Sequence, residues 1–193
     1  MHCSLPPALL LSCVLSSAAL AADGPKDAVV LIIRHAEKHE DGITLSGKGK
    51  DRAEAYRKYF RRFEIDSKAL RLDAIFAAAD SGGSERCRKT VEPLAKGLKL
   101  PVNARFANRD FGDLADELRA KYDGKQVLVC WHHGEISELI TALGAKPEEL
   151  LPEGKWPDHV YDWVIQLPFD HEGQLIAKGA KLIHEQLMPN DPK

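Results

Sequence analysis

Neither sign of charge dominates this sequence. Its 193 residues carry 27 Lys and Arg against 29 Asp and Glu, a formal net charge of −2. A chain so balanced is not a general nucleic-acid binder, which would show a strong basic excess. A long hydrophobic run is also missing: the apolar stretch near the start, Ala8 to Leu15, is too short to span a bilayer. Cysteine is scarce, with four in the whole chain. No internal repeat, low-complexity tract or interdomain linker divides the remainder, so the length reads as one ordinary domain with a full core.

The opening 21 residues, MHCSLPPALLLSCVLSSAALA, lack Asp, Glu, Lys and Arg altogether. Their apolar centre leads into small residues, and Ala19-Leu20-Ala21 fits the A-x-A form of a signal-peptidase site. In the n-region only His2 could carry charge. The expectation is a signal peptide over 1–21, cleavage after Ala21, and a single domain over 22–193 in the periplasm or secreted. Two cysteines, Cys87 and Cys130, stay in the mature chain. In an oxidising compartment they could pair, or Cys130, which ends an apolar run, could serve as a small buried residue.

Apolar runs and helical spacing set the order of elements. Ala28–Ile33 and Val127–Trp131 are continuous apolar runs, as expected of central strands buried on both faces. Leu72–Ala79 reads as a further strand, and Pro101–Phe106 as a short one. Helical spacing appears over Gly47–Phe63, Ser84–Leu98 and Leu114–Tyr122, and again from Ile136 to Leu143, where Gly144 closes the helix. Tyr161–Phe169 and Gln174–Leu187 read as two strands joined at 170–173. Alternating strands and helices predict a three-layer α/β/α sandwich with a mostly parallel central sheet and an antiparallel C-terminal edge.

In such sheets ligands sit beyond the carboxyl ends of the strands. Both all-apolar strands end there on histidine: the first runs into Arg34-His35, the second into His132-His133-Gly134-Glu135. Two parallel strands delivering imidazoles to one edge could face them across one pocket. A third element joins them. The stretch 80–84, DSGGS, precedes a helix holding Arg86, Arg88 and Thr90, and glycines before a helix let N–H groups approach an anion. The near P-loop at 42–49 lacks the Ser or Thr after its Lys and does not directly follow a strand, so it is set aside. His171 and His184 read as surface residues.

These stretches resemble the histidine phosphatase superfamily, in the branch that includes cofactor-dependent phosphoglycerate mutase. Arg34-His35-Ala36-Glu37, then Leu45-Ser46-x-x-Gly49-x-x-Arg52-Ala53, is similar to that family's opening. Arg86-x-x-x-Thr90 at a helix start resembles its next motif, and the apolar strand ending in His-Gly its last. The order holds over residues 28–143. DSGGSER replaces the family's usual Ser-Pro, and Trp131 stands where a small residue is usual. The resemblance implies a phosphoglycerate mutase-like fold and a phosphomonoester hydrolase with a small phosphorylated substrate, no metal and no cofactor.

Its implied chemistry suits these residue types. His35, neutral near pH 7, would attack phosphorus and become a phosphohistidine. Arg34 and Arg86 would grip the phosphoryl oxygens through planar donor forks. One of His132 and His133 would donate to the oxygens as charge builds. The count along the strand favours His132. Gly134 and the bulk of Trp131 favour His133, which is the choice carried forward. Glu135 is the first candidate for general acid, before Asp80 and Asp110. Two other functions are open: a non-catalytic binder of phosphorylated ligands, and a metal-binding protein using His35, His39, His132, His133 and Glu37.

Overall fold

A computed structural model of the chain describes residues 24–39 and 42–192. The expected signal peptide at 1–21 lies outside the described residues. The elements run β1 (Val29–Arg34), α1 (Gly47–Tyr59), β2 (Glu64–Ile65), β3 (Lys68–Ala69), β4 (Ala74–Ala77), α2 (Arg86–Leu98), β5 (Val102–Asn103), α3 (Phe111–Lys121), β6 (Gln126–Trp131), α4 (His133–Ala142), α5 (Pro147–Leu150), β7 (Trp163–Pro168) and β8 (Lys181–His184).

Six strands form one sheet in the order β5-β4-β6-β1-β7-β8. β5, β4, β6 and β1 are parallel; β7 runs antiparallel to β1, and β8 antiparallel to β7. This is the mostly parallel sheet with an antiparallel C-terminal edge that the sequence predicts. From β1 the chain moves outward through α1 and α2, then returns through α3 and α4. Right-handed crossovers in opposite directions place their helices on opposite faces, and the contacts agree: α1 packs on α2, and α3 on α4. The sheet is covered on both sides, so Leu31, Ile32, Leu128 and Val129 lie fully buried in one continuous core.

The reversal of direction falls between β1 and β6, whose connections leave toward opposite faces. At such a reversal, beyond the carboxyl ends of the strands, this class of sheet binds ligands. The register is level there: Arg34 pairs with Trp131, and the His35 amide donates to the Trp131 carbonyl at 3.1 Å.

Two segments differ from the sequence reading. The last strand, expected over 174–187, is ordered as a strand only at Lys181–His184; a 3₁₀ turn at Ala177–Gly179 occupies the approach. The small hairpin β2–β3 carries no Gly or Asn at its turn. Asp66 and Ser67 adopt φ of 50° and 61°, a conformation usually signalled by Asn-Gly.

Candidate active site

The loop after β1 is held from three sides by residues of the recognised motifs. Ser46 caps α1, its hydroxyl accepting from the Gly49 amide at 3.2 Å. Its own amide donates to the Glu37 carbonyl at 2.9 Å. Gly49 lies so close to that carbonyl that an added Cβ would stand 2.1 Å from it. Arg52, fully buried, donates through Nε and Nη2 to the Glu37 carboxylate and through Nη1 to Glu185 and Asp191. Burial alone would raise the pKa of Glu37, but Arg52 and Lys48 hold it below the usual carboxylate range. From α2, Thr90 accepts from the Ala36 amide at 2.8 Å and donates to the Arg86 carbonyl. The spacings L-S-x-x-G-x-x-R and R-x-x-x-T thus encode the scaffold around His35.

His35 is 2% exposed. Its Nδ1 lies 2.7 Å from the Ala36 carbonyl. A carbonyl only accepts, so Nδ1 carries the hydrogen and Nε2 the free lone pair. Burial pushes its pKa down to about 2; the Ala36 carbonyl opposes this, and Arg34, His132 and Arg86 add to it. The imidazole is therefore neutral across the physiological range, as a nitrogen nucleophile must be.

The ring facing His35 is His132, with centroids 5.1 Å apart in an edge-to-face pair. This reverses the preference for His133. Alternation along β6 explains it: Trp131 is the last strand residue, its Nε1 donating to the Asn108 carbonyl on one side, so His132, still extended at φ −86° and ψ 136°, turns to the other. There it meets Cys87 as well as His35. His133 is already the first residue of α4, and its Nε2 lies 2.7 Å from Asp158 Oδ1. Gly134 has open space around it, so it does not dictate which imidazole turns inward.

Arg34 is more committed than its sequence position suggests. Its Nη1 donates to the carbonyls of Pro157, Asp158 and Val160 at 3.2, 2.6 and 3.0 Å, and Nη2 to the Tyr161 hydroxyl at 3.3 Å. The guanidinium also stacks 4.0 Å from the Tyr161 ring centroid. The fork expected to grip an anion instead ties the 157–161 loop over the site, and only Nε is buried without a partner. Arg86 has the same free Nε, with Nη1 on the Gly42 carbonyl at 3.3 Å. Arg88 turns outward to Asp80, Glu85 and Glu92.

The acid candidates are engaged elsewhere. Glu135 accepts from Asn108 Nδ2 at 2.6 Å, Asp80 pairs with Arg88, and Asp110 accepts from the Ala107 amide. Tyr161 and Asp158 escaped the sequence reading, because the segment 144–162 has no periodicity that would mark it. Cys87 and Cys130 are buried free thiols, not a disulfide. Among the described residues, no three His, Cys, Asp or Glu side chains are grouped to hold a metal ion, and His39 is exposed.

No family model and no curated protein sequence matches the chain. Solved structures do. The protein histidine phosphatase SixA complexed with tungstate is similar at a TM-score of 0.54 and 18% identity, over 76% of this chain and 92% of that one. Phosphoglycerate mutase from Bacillus anthracis is similar at 0.55 and 13%, over 79% and 92%. Phosphoserine phosphatase from Entamoeba histolytica in complex with 3-phosphoglyceric acid is similar at 0.53 and 12%, over 77% and 94%. A parallel sheet with two facing imidazoles at its crevice and this set of neighbours agree on one architecture: the chain has the fold of the histidine phosphatase superfamily.

Proposed function

We propose that the protein is a phosphomonoester hydrolase that works through a phosphohistidine on His35 Nε2, and that it is exported. The observation that carries the reading is the His35–His132 pair at the carboxyl ends of β1 and β6, with His35 Nδ1 tied to a carbonyl and its ring held neutral. Such a nitrogen has one use in a crevice beside two arginines: attack on an electrophile that carries negative charge. Phosphoryl transfer asks for positioning and for charge compensation on the equatorial oxygens. His132 supplies a donor. The unpartnered Nε atoms of Arg34 and Arg86, with the N-terminus of α4, supply positive potential. The similar solved proteins include a protein histidine phosphatase and a phosphoserine phosphatase, which supports a phosphorylated substrate.

Trapping with labelled substrate tests the reading. A covalent adduct that is acid-labile and alkali-stable, absent in His35→Ala, is the expected result. Unchanged turnover in His35→Ala refutes the assignment. Ligand binding without any adduct or turnover identifies a binder of phosphorylated ligands. Export predicts a mature N-terminus at Ala22; mass spectrometry of the protein from periplasm or medium finding Met1 retained overturns that part.

A further inference from the structure

Hydrolysis of an ester with a poor leaving group requires a proton for the departing oxygen. Glu135, Asp80 and Asp110 each have partners away from the His35–His132 pair. One titratable group at the crevice is arranged otherwise. His133 directly follows His132, and its Nε2 is 2.7 Å from Asp158 Oδ1. The Asp158 side chain is 89% exposed, and the carboxylate oxygen faces Nε2 as an acceptor. Nε2 therefore carries a hydrogen. The other nitrogen, Nδ1, is buried and has no protein partner. Asp158 is fixed in turn by its own main chain, whose carbonyl accepts from Arg34 at 2.6 Å. The loop that Arg34 ties down thus brings a carboxylate to an imidazole one residue beyond the ring that faces the nucleophile.

We propose that His133, oriented by Asp158, is the proton donor to the leaving group. The assignment rests on the phosphohistidine reading above. In the first step the P–N bond to His35 Nε2 forms, the P–O ester bond breaks, and the leaving oxygen takes the Nδ1 proton of the His133 imidazolium. In the second step water attacks phosphorus, the P–N bond breaks, and the now neutral Nδ1 takes the proton of that water. The cycle returns both imidazoles to their starting states and needs no other reactant. His133 is a catalytic residue and Asp158 a positioning residue. The groups around the ring are Arg34, His132 and Asp158. Burial first, and then Arg34, lower its pKa; Asp158 opposes and His132 reinforces. The neighbouring charges thus favour proton release, and Asp158 is the one group that helps restore the proton.

The test uses two substrates that differ in leaving group. Glycerol 2-phosphate leaves as an alkoxide and needs a proton; 2,4-dinitrophenyl phosphate leaves as a stable anion and needs none. The protein is the whole exported chain, with circular dichroism confirming the fold of each variant. His133→Gln is expected to lower kcat/KM on glycerol 2-phosphate by about 10²–10⁴-fold, the range for one general acid, while kcat/KM on the dinitrophenyl ester, which reports only the phosphorylation of His35, stays near wild type and its kcat falls as hydrolysis of the phosphohistidine slows. Asp158→Asn is expected to show a smaller loss with the same ester selectivity, and to move the alkaline limb of the glycerol 2-phosphate profile to lower pH. Equal losses of kcat/KM on both esters overturn the role, as does no loss on either. Wild-type protein that hydrolyses neither ester overturns the phosphatase reading and this inference with it. Loss in His133→Gln confined to the alkyl ester, with the phosphohistidine still trapped from the dinitrophenyl ester, supports both.

Discussion

Three arginines near one histidine do three different jobs. Arg52 is a scaffold: its guanidinium lies among Glu37, Glu185 and Asp191 and fixes the carboxylate two residues after His35. Arg34 fastens a loop and keeps its Nε without a partner. Arg86 is half-buried at the start of α2, its charge felt by both Arg34 and His35. Arg86→Lys should therefore cost about 2–4 kcal/mol of transition-state stabilisation, the range for losing one preorganised donor, with little change in stability. Arg88 makes only solvent-facing pairs with Asp80, Glu85 and Glu92, so Arg88→Lys should change kcat/KM by less than about 0.5 kcal/mol, as exposed pairs do. Steady-state kinetics on both variants check the register; a silent Arg86 with a crippling Arg88 would reverse it. Arg34→Lys should also loosen 157–161, seen as faster amide exchange there, because a lysine ammonium cannot reproduce the Nη1 and Nη2 contacts. His35, Arg34 and the two histidines that follow the second apolar run were legible in the sequence because apolar runs stop at them. Which imidazole turns inward was not, since that depends on where β6 ends, and the bulk of Trp131 is absorbed by a carbonyl from a distant loop.

The connection from β1 to α1 is where sequence spacing becomes catalytic geometry. Gly49, Ser46 and Arg52 all bear on Glu37, and Thr90 of α2 holds Ala36, so two helices clamp the two residues after His35. Gly49→Ala would force its Cβ against the Glu37 carbonyl, and something in the backbone must shift. Thr90→Val leaves the Ala36 amide without its acceptor, a loss of about 1–3 kcal/mol for a buried donor. With His35 as the proposed nucleophile, both variants should lower kcat more than they raise KM, because they displace His35 and leave α4 in place. Thermal unfolding of the same proteins separates the stability cost from the catalytic one; a Thr90→Val enzyme with wild-type kcat would show that the clamp is structural only. The main strands and the four long helices were legible from apolar pattern. The hairpin β2–β3, the short α5 and the strap at 155–161 were not. Turns with positive φ at Asp66 and Ser67 lack their usual residues, and the strap is ordered by Arg34 and by Trp156, whose Nε1 donates to the Val160 carbonyl at 2.9 Å. The Arg34 contacts reach across more than a hundred residues and leave no local signature.

At the scale of the whole molecule, the crevice sets the pH dependence of folding. Below the sheet edge, one guanidinium, Arg52, faces three carboxylates, and Lys48 joins only Glu37. The most enclosed of the three keeps a proton: burial raises the pKa of Glu185 to about 8, against the pull of Arg52 and the Tyr56 hydroxyl, and Asp191 adds to the rise. His35 goes the other way, down to about 2. Between its folded value and its unfolded value of 6.5, His35 binds a proton only in the unfolded chain, so its contribution is intact above 6.5 and is lost as pH falls. Between 4.5 and about 8, Glu185 binds a proton only in the folded chain, so its contribution is intact below 4.5 and is lost as pH rises. From 4.5 to 6.5 the two slopes oppose and cancel. The stability of the folded protein should therefore show a plateau in that window. His35 lowers it on the acid side below 4.5, and Glu185 lowers it on the alkaline side toward about 8, each by about 1.4 kcal/mol per pH unit for one proton, while Cys87, its thiol held down to about 6 against its burial by Cys130 and His132, opposes Glu185 above that pH. Glu37 and Asp191, both held below the usual carboxylate range by Arg52, steepen the acid side, and Asp162, raised by its burial, works with Glu185. Urea unfolding midpoints across this range measure the curve. Glu185→Gln should raise stability on the alkaline side relative to wild type and His35→Ala should lessen the acid limb; an alkaline side unchanged in Glu185→Gln would place the shared proton on another member of the cluster.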